Sequence, residues 1–191
     1  NKNNDNDLGY NSGSAYVFTK PATGWVNATE TAKLLASDGA ITDDFGGSVC
    51  ISGDNIVIGA LEDDDNGVES GSAYVFTKPV TGWANSTETA KLLASDGAIN
   101  DNFGRSVSIS GDIIVVGAPG AYGNGVEAGA AYVFKKPLTG WVNAIQTAKL
   151  ISSDGAASDD FGISVSISAD NIAVGVSDDD DNGFRSGSAY V

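Results

Sequence analysis

The chain has 191 residues and a formal net charge of −15, from 25 acidic and 10 basic residues. A surface this acidic repels phosphate backbones and anionic lipid headgroups, so the composition argues against nucleic-acid binding and membrane insertion. The sequence contains no histidine, so it lacks the commonest general base. Its single cysteine, Cys50, cannot form an internal disulfide. The 25 glycines are typical of short strands joined by tight turns.

A repeat organises the whole chain. The segment Gly-Ser-Ala-Tyr-Val starts at residues 13, 71 and 187, and a copy with Ala130 in place of the serine starts at residue 129, a constant step of 58 residues. The same step relates Trp25, Trp83 and Trp141. Such regularity predicts a repeat protein in which each period folds as one supersecondary unit.

Within one period, the side chains of the predicted strands alternate between polar and apolar with a period of two residues. Residues 48–52 alternate small polar with branched apolar side chains, as a half-buried strand does. Gly53-Asp54 then predicts a tight hairpin into a second strand at residues 55–60. After an acidic loop, residues 72–76 are the third predicted strand, and residues 89–93 are the fourth.

Four short antiparallel strands per 58-residue period predict an all-β fold made of β-propeller blades, since solenoids of stacked hairpins usually have shorter periods. The chain is then one propeller segment over residues 1–191, with about three blades. Residues 46–93 and 104–151 form complete blades. Residues 1–35 carry the last two strands of one blade, and residues 162–191 carry the first three strands of another.

The motif residues resemble a known family. Asp44-Phe45-Gly46, Ile58-Gly59-Ala60 and the segment 71–76 resemble the FG-GAP repeat of integrin α-subunit propellers. The third unit carries both name elements, as Phe103-Gly104 and Gly117-Ala118-Pro119. The similarity is closest to the short-hairpin variety of bacterial and algal surface proteins. It implies an extracellular or cell-surface protein whose loops bind a protein or glycan at one rim of the propeller.

That rim is expected to contain two sets of loops. They are the loops between the second and third strands (62–69, 120–128, 178–186) and the linkers between blades (38–44, 96–102, 154–160). The recurring aspartates of the linkers are predicted to accept backbone N–H bonds within turns.

Calcium is the candidate cofactor, because two of the loops carry closely spaced oxygen ligands. Residues 178–183 fit D-x-D-x-N-G, the start of a calcium loop, and residues 62–67 form a weaker version. The candidate ligands are Asp178, Asp180 and Asn182 in one loop and Glu62, Asp64 and Asn66 in the other. Ala189 stands where the twelfth-position glutamate would be, so a solvated turn is the alternative.

The resemblance itself does not supply a calcium site. Blades of the family that bind calcium do so in a long acidic loop between the first two strands, and here that connection is only Gly53-Asp54, Gly111-Asp112 or Ala169-Asp170. It implies that the usual site of the family is absent.

Asn27 and Asn85 begin N-x-[ST] sequons and are predicted glycosylation sites of a secreted protein. The neighbouring tryptophans are predicted to cover the outer edges of the blades. The sequence offers no nucleophile and base in a plausible pair, so we expect no catalytic residues and no enzyme. The predicted function is a non-enzymatic extracellular scaffold for binding or adhesion. The alternative is a structural subunit of a surface filament or sheath, whose copies join head to tail through open blade edges.

Overall fold

The computed structural model describes residues 7–123 and 127–191, which form strands, turns and loops without a helix. The described residues therefore include no helix that could cross a membrane. The strands in chain order are β1 (Ala15–Val17), β2 (Ala32–Leu34), β3 (Ser48–Ser52), β4 (Asn55–Ala60), β5 (Ser72–Thr77), β6 (Ala90–Leu93), β7 (Ser106–Ser110), β8 (Ile113–Ala118), β9 (Ala130–Lys135), β10 (Ala144–Ile145), β11 (Ala148–Leu150), β12 (Ser164–Ser168), β13 (Asn171–Val176) and β14 (Ser188–Tyr190).

The strands form four sheets, which we number along the chain. Sheet 1 contains β1 and β2, sheet 2 contains β3 to β6, sheet 3 contains β7, β8, β9 and β11, and sheet 4 contains β12 to β14. Consecutive strands within each sheet pair antiparallel. The predicted all-β fold of propeller-like blades is confirmed, and the four sheets do not close a ring.

The second and third strands of each complete sheet are the most buried because each has a neighbouring strand on both sides. In β4, Val57 and Ile58 are fully buried, although they point to opposite faces of sheet 2. Sheets on both sides of sheet 2 therefore bury its two faces, which explains why β4 is an almost continuous apolar run.

Neighbouring sheets pack face to face around three apolar clusters. The largest cluster joins sheets 2 and 3, with Val57, Val75 and Leu92 on one side and Phe103 and Tyr132 among the residues on the other. The ring of Phe103 packs edge-on against Tyr132, with 5.4 Å between the ring centroids. Phe45 makes the same contact with Tyr74 at 5.3 Å between sheets 1 and 2.

The Phe-Gly and Gly-Ala motifs lie where the backbones of consecutive sheets come into contact. The backbone N–H of Gly46 donates to the carbonyl of Gly59 at 3.0 Å, and the N–H of Gly104 donates to Gly117 at 3.1 Å. A Cβ atom on Gly59 would lie only 2.0 Å from the carbonyl oxygen of Gly104. Glycine is required at residue 59 because two backbone segments meet there.

Each outer hairpin reaches back to the preceding sheet. The short strand β10 pairs parallel with β6, and Ser86 makes the equivalent bridge to Leu34. Asn85 Oδ1 accepts the N–H of Lys33 at 2.9 Å. This segment therefore covers an outer strand that would otherwise be an open sheet edge.

Candidate functional site

The loops and linkers predicted to form one rim do lie together. The antiparallel order puts the second-to-third-strand loops and the inter-sheet linkers at one end of the sheets, and the hairpins at the other end. In the rim, Asn100 N donates to Val68 O at 2.9 Å, and Ser158 N donates to Glu127 O at 2.8 Å. Residues 124–126 of the second loop lie outside the described residues.

The linker aspartates have the turn-forming role that the sequence predicts. The carboxylate of Asp43 accepts the N–H of Ala40 at 2.7 Å. Asp101 accepts from Ala98 at 2.9 Å, and Asp159 makes the same bond to its own linker. These three side chains are buried, so each one holds the bend of its linker from inside.

A buried lysine lies at the centre of the first loop. Lys91 Nζ is 2.7 Å from Asp38, 3.2 Å from Asp63 and 2.5 Å from Asp65. The hydroxyl of Tyr74 donates to Asp63 at 2.7 Å, and the ammonium lies 4.9 Å from the centre of the Tyr74 ring. Strand β6 supplies the lysine, β5 the tyrosine, and the rim the three carboxylates. We call these five residues the lysine cluster.

The electrostatics of the lysine cluster follow from burial and charge. Burial alone would lower the pKa of Lys91, but the hydrogen bonds that its ammonium donates to Asp38 and Asp65 outweigh burial and raise that pKa above its ordinary value. Burial also opposes ionisation of Asp38, yet the Lys91 ammonium holds the pKa of Asp38 below its ordinary value. Burial and the Asp63 charge raise the pKa of Tyr74, so its hydroxyl stays protonated and donates.

The second loop has lost part of this arrangement. Ala121 stands where the first loop has Asp63, and Ala130 stands where it has Ser72, whose hydroxyl donates to Asp63 at 2.9 Å. Lys149 still binds Asp96, at 2.6 Å. The buried hydroxyl of Tyr132 finds no hydrogen-bond partner among the described residues. Both partners of the Ser72–Asp63 hydrogen bond are thus alanine in this unit.

The third loop keeps the carboxylates. Ser188 Oγ donates to Asp179 at 2.5 Å, and the hydroxyl of Tyr190 donates to Asp154 at 2.6 Å. Asp181 lies in the same loop, and a cavity of about 540 Å³ is lined by these three aspartates and by Phe184 and Arg185. No lysine side chain occupies the position of Lys91 in this part of the described chain.

The predicted calcium ligands lie in the rim loops, but several of their side chains form hydrogen bonds with backbone groups of the protein. Asp64 Oδ1 accepts Glu69 N at 2.8 Å, and Asp180 Oδ1 accepts Arg185 N at 2.6 Å. The side chains of Asn66 and Asp178 are also engaged, with Ala94 O at 3.3 Å and Arg185 at 3.4 Å. Glu62 and Asn182 lie in the same two loops, each with its backbone N–H donating to a neighbouring oxygen.

Within residues 7–123 and 127–191, no group of three or more acidic or cysteine side chains is arranged so that it could hold a metal ion. Calcium binding therefore stays a prediction of the sequence. The described geometry accounts for Asp64 and Asp180 as residues that shape their loops.

The two sequons lie in the outer hairpins between the third and fourth strands, where the side chains of Asn27 and Asn85 are exposed. Asn85 also bonds to the preceding sheet, as described above, and Asn143 makes the same bond to Lys91 N at 2.8 Å without being a sequon. A structural role alone thus explains an asparagine at this position, and glycosylation stays a prediction.

The tryptophans do not all behave alike. Trp141 is 5% exposed and Trp83 is partly buried, and both pack into clusters shared with the preceding sheet. Trp25 is 69% exposed. The expectation that they cover outer edges holds for two of them, because within the described residues Trp25 has no preceding sheet to cover.

The lysine cluster was missed by sequence reasoning, which selected the neighbours of Asp63 and Asp179 and overlooked these two buried residues. A signal was present. Lys91 interrupts the apolar run Ala90-Lys91-Leu92, and a lysine recurs at this position in each period. A charged residue that recurs in a buried strand requires partners, and the recurring aspartates of the rim, such as Asp38, Asp96 and Asp154, are candidates for that role.

The solved structure titled "Crystal structure of the computationally designed Ika4 protein" matches with 16% identity and a TM-score of 0.35, covering 86% of this chain and 98% of that chain. No curated protein matches the sequence.

The FG-GAP repeat family matches residues 28–76, 86–134 and 145–191, about three quarters of the chain. Each matched stretch contains the last strand of one sheet and the first three strands of the next. Repeats of this family form propeller-type domains that often bind other molecules, are generally non-catalytic and are typical of extracellular or surface proteins. The chain belongs to the FG-GAP repeat family.

Proposed function

We propose that this chain is a non-enzymatic extracellular scaffold that binds a protein or glycan ligand through the loops of its rim. The observation that supports this is a common loop frame with different side chains. All three loops are closed by the same backbone bond: Gly71 N to Asp63 O at 2.8 Å, Gly129 N to Ala121 O at 2.9 Å, and Gly187 N to Asp179 O at 2.9 Å.

What the frame presents differs from loop to loop. The first and third loops expose several carboxylates, among them Asp64 and Asp180. The second loop exposes the ring of Tyr122 beside Glu127, and the third also exposes the ring of Phe184. An aromatic ring between acidic loops suits a ligand with an apolar face and cationic or hydroxyl groups beside it. Invariant strands that carry variable loops are the usual design of a binding protein.

A binding screen with matched variants tests this proposal. The chain is applied to a glycan array and to a panel of cell-surface ectodomains, and each ligand found is titrated against Tyr122→Ala and Glu69→Gln. Both side chains are exposed on the rim, so these variants keep the fold. We expect each to weaken binding about tenfold, equivalent to about 1.4 kcal/mol.

Val80→Ser is the control, because Val80 is fully exposed on a hairpin at the opposite end of the sheets. Binding that Val80→Ser weakens and Tyr122→Ala leaves unchanged would place the ligand site away from the rim and refute the proposal.

Calcium and the extracellular location are separate parts of the proposal. Exposed carboxylates in the first and third loops support calcium binding, and calorimetric titration with CaCl₂ measures it, with Asp180→Asn as the variant.

FG-GAP repeats are typical of surface proteins, which supports the extracellular location. Treatment of the natural protein with a glycosidase would lower its mass if Asn27 or Asn85 carries a glycan.

A further inference from the structure

Exposed apolar side chains recur in the rim at fixed positions of the repeat. Ile41 and Ile99 occupy equivalent positions in successive linkers, and each is 63% exposed. Tyr10 and Val68 are equivalent in the same way and are 57% and 56% exposed. A single exposed apolar residue is ordinary on a protein surface, but one that recurs at the same place in successive periods suggests a contact with a partner.

These side chains lie in pairs at the junctions between sheets. The linker N–H that follows Ile99 donates to the carbonyl of Val68 at 2.9 Å, and a Cβ atom on Gly67 would lie 3.0 Å from the Ile99 side chain. The same backbone bond, also 2.9 Å long, joins the linker of Ile41 to Tyr10. One pair therefore lies where sheet 2 meets sheet 3, and the other where sheet 1 meets sheet 2. We call these four residues the apolar row.

The step along the apolar row is set by the packing of the sheets. The two pairs occupy equivalent positions one period apart, so they are separated by the distance between neighbouring sheets. Sheets that pack face to face lie about 10 Å apart. Phe184, an exposed residue at the position of Val68 in the third loop, continues the row, and Val126 at that position in the second loop lies outside the described residues.

Carboxylates flank the apolar row. Asp64 and Glu69 are exposed on either side of Val68, and Asp64 Oδ1 accepts the N–H of Glu69 at 2.8 Å, which holds that carboxylate beside the row. The loops and linkers of the rim contain one basic residue, Arg185. The ammonium of Lys91, which reaches the rim from β6, is already bound by three carboxylates. A complementary partner therefore has an apolar stripe with cationic groups beside it.

The backbone around the row is already hydrogen-bonded within the protein. Most N–H groups of residues 66–70 and 98–102 donate to oxygens of the same loop or of the adjoining linker. A peptide that binds as an added strand needs a row of free backbone groups, which these segments do not offer. An α-helix bonds its own backbone and binds through its side chains, so it suits this surface better.

We propose that the rim binds a basic amphipathic α-helix of a partner protein, which lies across the sheets along the apolar row. Residues seven apart on a helix lie on one face and about 10.5 Å apart, close to the step of about 10 Å between the pairs. Successive turns of the apolar face then meet successive pairs, and lysines or arginines on both flanks face the carboxylates. This inference rests on the proposed function, because it names the class of ligand that the rim takes.

Fluorescence anisotropy with a synthetic peptide tests the proposal. The probe is a labelled helix of about 21 residues, in which two leucines four residues apart recur every seven residues and lysine and alanine fill the rest. We expect Val68→Ser combined with Ile99→Ser to weaken its binding at least tenfold. Both side chains are exposed, and thermal unfolding checks that the variant is folded. Val80→Ser combined with Leu138→Ser, at fully exposed residues of the outer hairpins, should bind like the wild type.

Two further peptides separate the apolar stripe from charge alone. One has the same composition with its leucines spread around the helix, and the other has glutamate in place of lysine; we expect each to bind at least tenfold more weakly than the probe. Equal binding of the rearranged peptide would overturn the proposal, as would unchanged binding of the probe to the Val68 and Ile99 variant. If the probe does not bind but Tyr122→Ala weakens a ligand found in the screen, the helix is refuted and the proposed function stands.

Discussion

Lys91 shows how this chain holds a charge in an apolar stack of sheets. Its ammonium is shared by three carboxylates, one of which, on Asp63, also accepts the hydroxyl protons of Ser72 and Tyr74. Asp63 is buried, so these donors are its hydrogen-bond partners inside the protein. The second loop, with alanine in place of both Asp63 and Ser72, provides a comparison within the same molecule.

Asp63→Ala is expected to lower the free energy of unfolding by about 2–4 kcal/mol. It leaves the buried Ser72 hydroxyl without its acceptor, removes the shorter of the two hydrogen bonds of the Tyr74 hydroxyl, which keeps Asp38 as an acceptor, and removes a charge from beside Lys91. The double variant Asp63→Ala with Ser72→Ala imitates the second loop, where one of those hydroxyls is absent. Its loss should be smaller than the sum of the single losses. Urea unfolding measures all three variants, and strictly additive losses would contradict the pairing of Asp63 with Ser72.

Asp43 is expected to make stability depend on pH. Burial raises its pKa from 3.8 to about 6, against the opposing effect of the hydrogen bond from Ala40. The folded chain therefore binds more protons than the unfolded chain between about pH 4 and pH 6, and the free energy of unfolding falls as pH rises through that range. The whole effect amounts to at most about 3 kcal/mol.

Asp43→Asn keeps an oxygen that can accept the Ala40 N–H and removes the titration. We expect it to be more stable than the wild type at pH 7 and to have a smaller slope between pH 4 and pH 6, measured by urea unfolding at several pH values. Some slope should remain, because the pKa values of Asp101 and Asp160 are also raised by burial. Asp54→Asn, at an exposed hairpin, is the control. Equal slopes in the wild type and Asp43→Asn would show that other groups carry the pH dependence.

At the scale of the elements, the spacing of the sheets depends on glycines that cannot carry a side chain. Gly117 lies at the end of β8, and a Cβ atom there would be 1.9 Å from the carbonyl oxygen of Gly162 in the next linker. That oxygen also accepts the hydroxyl of Ser106 at 2.9 Å. The first two strands of sheet 3 thus lie directly against the backbone of the linker that leads into sheet 4.

Gly117→Ala should force sheets 3 and 4 apart and lower the free energy of unfolding by about 2–3 kcal/mol. Gly111→Asn is the matched control, since residue 111 lies in an open hairpin with φ +57° and asparagine tolerates that conformation. Thermal unfolding compares the two variants. A Gly117→Ala variant as stable as Gly111→Asn would mean that the linker can move without cost.

The strands were predictable from the sequence because each has a local signal. Residues 48–52 alternate, Gly53-Asp54 marks the turn, and the repeat fixes the remainder. The parallel pairing of β10 with β6 was not predictable, since Ala144 and Ile145 are too few for a pattern and their partner lies about 50 residues away. The lysine cluster has the same origin. Lys91 and Asp38 are brought together only when two periods stack, so neither residue carries a local sign of the other.

The whole molecule is a row of sheets in which the middle is better covered than the ends. The largest apolar cluster lies between sheets 2 and 3, while many side chains of sheet 4 are exposed. Many of the acidic residues that make the charge −15 lie in the rim loops and linkers, so that end of the molecule repels anions and attracts cationic groups.

Hydrogen exchange should report this gradient. We expect the slowest amide exchange in β4, β5, β8 and β9 and the fastest in β12 and β14, because the first four strands are mostly buried and the last two are mostly exposed or half-buried. Exchange in β12 that is as slow as in β8 would contradict the gradient.

The matched repeats and the sheets are offset by one strand, and this offset bears on how such a chain changes length. Every matched repeat gives its first strand to the sheet of its predecessor and keeps the next three for its own sheet. A duplication or loss of 58 residues therefore rejoins the same strands in the same order wherever the breakpoint falls. Unequal recombination within the gene would yield arrays of new length without splitting a sheet, which makes blade number a freely varying trait while the blade itself stays unchanged.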